Sequence, residues 1–202
     1  QLDEMFIIPS ISAIVDGLIS DTLALATEAN FTTGNQTVVT AASFVADNVA
    51  DFAEALSVNK VPNMGRSMIL KPTYYSQLAK DTPVQAAYAY GGSEVIRDNN
   101  IPRVHGFDVH EYNGTIPSNA ENLEGFACGK QALCIAARGV VEPEQGTWYG
   151  EVRNITEPNT GLTLQVRKYY DEDDGYQKVS WSVLYGVQLG IPGYGHLIAS
   201  AI

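Results

Sequence analysis

The chain has 202 residues, 45% of them hydrophobic, two cysteines, and a formal charge of −11 from 23 acidic against 12 basic side chains. This is the composition of a globular chain, long enough to bury a core as one domain or as two interleaved ones. Scattered Lys and Arg exclude a basic groove gripping nucleic acid, no run approaches the roughly 18 apolar residues of a membrane span, and two cysteines are too few for a disulfide scaffold or a zinc site.

In chain order, Ile7, Ile11, Ile14, Val15, Leu18, Ile19 and Leu23 recur at three and four, which predicts one long amphipathic helix over residues 6–25. Residues 30–39, with Gly34 and several Thr and Asn, read as a loop. A second helix is predicted from about Ala41 to Leu56, with Phe44, Val45, Val49, Phe52 and Leu56 inward and Asp47, Asp51 and Glu54 outward. Val61 to Asp81 is the clearest stretch. Pro62 and Gly65 predict a turn, and Met68-Ile69-Leu70 between Arg66 and Lys71 a buried strand. Pro72 suits the first turn of a short helix carrying Tyr74, Tyr75 and Leu78.

Gly91 and Gly92 suggest a loop, and Arg103 to Tyr112 alternates as one strand with Gly106 as its bulge. Pro117 to Asn122 reads as a turn region, and Leu123 to Val141 as short strands or a helical turn with equal weight. Alternation up to Tyr169 and from Val179 to Tyr185 brackets Asp171, Glu172, Asp173, Asp174 and Gly175, predicting a β-hairpin over about 162–188. His196 to Ile202 supplies a last short strand.

Catalytic devices are hard to find. His105, Asp108 and His110 share a predicted strand with His105 on the opposite face, so a zinc site would need His196 to converge on them. The acidic turn lacks the alternating ligands and closing Glu of a calcium loop. Cys128 and Cys134 are expected as reduced, partly buried thiols. No nucleophile elbow, phosphate-cradling loop or dinucleotide fingerprint occurs, and the glycines of residues 186–195 are spaced for turns. The expectation is therefore no catalytic, cofactor-binding or metal-binding residue, no cofactor, and no enzyme. Asn30, Asn35, Asn113 and Asn154 open Asn-x-Thr sequons, which fit a loop-rich composition better than a glycoprotein.

The order of these pieces carries a resemblance. Val61-Pro62 with Arg66 is followed by Met68-Ile69-Leu70-Lys71-Pro72 with Tyr75 and Leu78, and by Gly106-Phe107-Asp108-Val109. Gly125-Phe126-Ala127 with Lys130-Gln131-Ala132, and Leu184-Tyr185-Gly186, come next. This resembles the C-terminal two-thirds of a tailed-bacteriophage major capsid protein with the Hong Kong 97-type fold, without its N-terminal arm and extended loop. No single motif is specific; order and spacing carry the likeness over nearly the whole chain.

The resemblance implies an α+β fold of two interleaved domains. Residues 1–28 would end the spine helix of the peripheral domain, 29–137 and the final strand at 196–202 would form the axial domain around a central sheet, and 138–195 would return to the peripheral domain as long strands. It also implies a structural subunit that self-assembles into the hexamers and pentamers of an icosahedral head. That head would enclose double-stranded DNA without specific binding, be assembled in the host bacterial cytoplasm, and involve no membrane. Scaffolding protein, portal and decoration proteins are the further partners implied. An acidic lining suits such a container, because a wall that held DNA tightly would oppose packing and release. Gln1 in place of Met gives the further expectation of a trimmed piece. The competing readings are an encapsulin-type nanocompartment shell, a secreted glycoprotein or binding module, and a metal-dependent hydrolase built on the three histidines.

Overall fold

The computed structural model describes residues 8–31, 35–89, 101, 103–114, 116, 122–141, 150–156 and 163–200. The expected glycine loop at Gly91-Gly92 and most of the turn region at Pro117–Asn122 lie outside them. The chain forms two compact units, one of Gln1–Ile19 with Ile135–Val187 and one of Ser20–Cys134 with Gln188–Ile202.

The second unit is built on a six-stranded mixed sheet. Its strands are β1 (Gln36–Val38), β2 (Arg66–Leu70), β3 (Arg103–Val104), β4 (Phe107–Glu111), β5 (Leu123–Cys128) and β11 (Gly195–Ala199), in the order β1-β11-β5-β2-β4-β3. β1 runs parallel to β11 and β2 parallel to β4, while β5 is antiparallel to both β11 and β2. Register assigns the faces. Met68 pairs with Ala127 and Val109, and Ala127 with His196, so these share the face that includes Leu70, Phe107 and Ile198. That face belongs to the main apolar core, with Val49, Phe52 and Leu56 of helix α2 (Ala46–Val58) and Tyr74, Tyr75 and Leu78 of helix α3 (Pro72–Lys80). On the opposite face Phe31 meets Phe126 edge-on at 5.1 Å. Gly195 lies under these rings; a Cβ there would come within 2.7 Å of Phe126 Cζ.

The Val61–Asp81 unit forms as its residues dictate. β2 alternates buried and half-buried positions, Pro72 occupies the first turn of α3, and the helix ends at Lys80. The hydroxyl of Tyr74 donates to Val39 O at 2.7 Å, and that of Tyr75 accepts from the Ile101 amide at 2.8 Å. A further helix, α4 (Thr82–Ala89), follows.

Other segments depart from expectation. Residues 41–43 form a 3-10 turn, and α2 starts only at Ala46, because Phe44 and Val45 are extended. Phe44 is still fully buried, 6.2 Å from Phe52 and 5.4 Å from Tyr74 between ring centres. Within the expected 30–39 loop, β1 forms by pairing Gln36 to Val38 with Leu197 to Ala199. The expected strand from Arg103 to Tyr112 is two strands. His105 (φ 46) and Gly106 (φ 89) make a two-residue turn between paired Val104 and Phe107, so Gly106 is no bulge.

The first unit contains the antiparallel sheet β7 (Gly150–Thr156), β8 (Thr163–Asp171) and β9 (Tyr176–Ser182), in that order. β8 and β9 are the expected hairpin, but it stops at Ser182. Leu184 begins a separate strand, β10 (Leu184–Leu189), that pairs with β6 (Leu133–Arg138). Both strands of this ribbon contain a point where the chain passes between units, and Gly186 lies within β10 rather than in a turn. Helix α1 (Ile8–Leu23) is the expected first helix; Leu18 and Leu23 are buried and Ile11, Ile14, Val15 and Ile19 half-buried.

Candidate functional site

The histidines do not converge. His105 sits exposed in the β3–β4 turn. His110 pairs with Ile69, which places it on the sheet face opposite Met68, where it is exposed. His196 pairs with Ala127 on the helix-covered face and is 3% exposed. No group of three or more His, Cys, Asp or Glu gathers among the described residues.

His196 belongs to the packing instead. Its ring lies 4.9 Å from that of Phe52, and Nε2 shares a 2.8 Å hydrogen bond with Thr37 Oγ1. Burial lowers its pKa to about 4, so the ring is neutral at physiological pH. Asn35, just before the edge strand β1, is also buried, and its Oδ1 accepts from Asn59 Nδ2 at 3.0 Å. Glycosylation there would require breaking into the core.

The two thiols differ. Cys128 is half-buried as expected, and burial pushes its pKa up to about 11, far from a reactive thiolate. Cys134 is exposed, against expectation, because β6 is covered on neither face beyond Leu133.

The acidic turn is organised by its own side chains. Asp171 Oδ1 accepts from the amides of Asp173 and Asp174, an Asx-type turn, and Gly175 (φ 71) closes it with its amide on Asp171 O. Lys178 bridges Asp171 and, at 2.7 Å, Asp174. The ammonium holds the Asp171 carboxyl below its usual range, and the paired carboxylates raise the pKa of Lys178. A lysine, rather than a cation site, occupies the centre of the turn.

What the surface offers instead is exposed apolar area on strands. Ile135, Ile155, Tyr170, Tyr176, Val179 and Leu184 are all at least 47% exposed. Arg66, by contrast, is a buried cation spent on structure: its guanidinium donates to Pro62 O, Ala53 O, Val61 O and Ser57 Oγ at 2.7–3.1 Å. The sequence flagged Arg66 as the charged end of a strand, and nothing in it announced the buried role.

No protein-family model and no curated protein matches the sequence. Solved structures do. The capsid of cyanophage P-SCSP1u matches at a TM-score of 0.50 and 14% identity, over 82% of this chain and 52% of that one. A structure from Mycobacterium phage Che8 matches at 0.55 and 15% identity, over 94% of this chain and 59% of that one. The chain thus spans less than two thirds of the length of the phage structures it matches. At such identities the likeness concerns architecture: this chain has the α+β fold of phage capsid subunits.

Proposed function

We propose that the protein is a phage coat subunit, structural rather than catalytic, that assembles with copies of itself into the hexamers and pentamers of an icosahedral head around double-stranded DNA. The observation that carries this reading is the likeness to phage structures over 82–94% of the chain. The charge of −11 fits a wall that encloses DNA without holding it. In this reading the unit with the six-stranded sheet is the axial domain of a Hong Kong 97-type subunit, and the unit with the three-stranded sheet is its peripheral domain. Scaffolding protein, portal and decoration proteins would be its partners, and the host cytoplasm the place of assembly.

Negative-stain electron microscopy of the full-length protein tests the proposal. Uniform hollow shells are expected. Small particles only, at high concentration and with an upstream scaffold co-expressed, would contradict it. Shells that co-purify with a cargo enzyme would instead favour an encapsulin-type compartment.

A further inference from the structure

The unit with the six-stranded sheet carries a cavity of about 180 Å³ lined chiefly by Val61, Pro62, Met64, Lys130 and Tyr194. An apolar cavity of about 150 Å³ holds a benzene ring, so this one has room for an aromatic side chain. Met64 is 85% exposed at its mouth, and a thioether packs well against a ring. Lys130 lies across Gly65, whose φ of 76 and missing Cβ leave a bed for the lysine stem. No carboxylate among the described residues pairs with the Lys130 ammonium. The pocket therefore asks for an aromatic ring with an acid beside it.

The chain presents such a group on its other unit. Among the described residues the exposed aromatic side chains are Tyr170 and Tyr176, which flank the acidic turn between β8 and β9. Tyr176 is engaged: its hydroxyl donates to Asp174, and Lys178 Nζ lies 5.0 Å from its ring centre. Tyr170 stands on the other face of the hairpin, 60% exposed. Lys178 ties up Asp171 and Asp174 while offsetting one of their two charges, and Glu172 and Asp173 are the exposed acids of the turn that it does not bridge. Met64 and Tyr170 are both exposed, and in a coat built of identical subunits a second copy can supply the ring and its acids.

We propose that Tyr170 of one copy enters the Met64–Tyr194 pocket of a second copy and sets Glu172 and Asp173 against Lys130. In the coat role the contact runs head to tail, from copy to copy around rings or shells, whereas a reciprocal two-fold pair would link two copies only. The inference rests on the coat role proposed above. It is tested in the full-length protein with Cys134→Ser, by pairing Met64→Cys with Tyr170→Cys under mild oxidation. A ladder of disulfide-linked multimers is expected from the double-cysteine protein and from neither single variant. Should that protein fail to assemble, charge exchange decides. Lys130→Glu should cut particle yield at least about tenfold, and Glu172→Lys with Asp173→Lys in the same chain should restore it. Shells from the unsubstituted protein, with no ladder or with Lys130→Glu harmless, overturn the pocket assignment and leave the coat role standing. No shells even from the unsubstituted protein overturn both.

Discussion

Arg66 is 1% exposed, and no carboxylate among the described residues pairs with it; it donates hydrogen bonds to the main-chain oxygens of Ala53 in α2 and of Val61 and Pro62 just beyond it, and its guanidinium lies 6.0 Å from the ring centre of Phe107. Burial lowers its pKa without discharging it, since arginine stays protonated at any ordinary pH. Its planar fork fixes where α2 stops and β2 begins. Arg66→Met should therefore lower the unfolding free energy by about 3 kcal/mol, because several buried acceptors lose their donor; urea unfolding measures it. Lys60 is the opposite case. The Val61 amide reaches Leu56 O and the Lys60 amide Ser57 O, a Schellman closure with a lysine at φ 61 where glycine is the usual residue. Lys60→Gly should add about 1 kcal/mol, read as a higher urea midpoint. His196 gives a pH signature. Its pKa is about 4 in the fold against 6.5 ordinarily, so below 6.5 only the unfolded chain takes up the proton. Stability should fall as pH drops from about 6.5 to about 4, by about 3 kcal/mol in all. The difference between parent and His196→Gln across that window isolates the contribution.

At the scale of elements, α2 takes its N-terminal cap from α3. Asp81, at the end of α3, accepts from the Ala46 amide at 2.7 Å, while Asn48 Oδ1 accepts from the Val45 amide at 2.9 Å. Asp81→Ala should cost about 1 kcal/mol and speed amide hydrogen exchange in the first turn of α2. That cap shows why some of the fold was legible in the sequence and some was not. Val61–Asp81 was readable because Pro62, Gly65, the apolar triplet and Pro72 all act within a few residues of themselves. The start of α2 was not, because Phe44 follows the apolar pattern of a helix but leaves it to fill a gap between Phe52 and Tyr74. β1 was missed because it exists only through its parallel pairing with β11, some 160 residues away. The His105-Gly106 turn carries none of the usual Asn-Gly or Asp-Gly signal, so one strand was expected where there are two. On the candidate sites, sequence separated His105 from His110, yet only the register puts His110 and His196 on opposite sheet faces.

For the molecule as a whole, the proposed coat role rests on surfaces. Exposed apolar strand residues and a charge of −11 are what that role asks of a subunit that meets neighbours and does not hold DNA. Full-length protein should show no salt-sensitive retention of double-stranded DNA in filter binding, whereas tight retention at low salt would count against a passive wall. The most direct test is a cryo-electron-microscopy reconstruction of particles formed by the full-length protein. A closed icosahedral shell of hexamers and pentamers, with this α+β fold repeated in every subunit, is the predicted result. Monomers or small closed oligomers alone, under conditions where related coats assemble, would contradict the account.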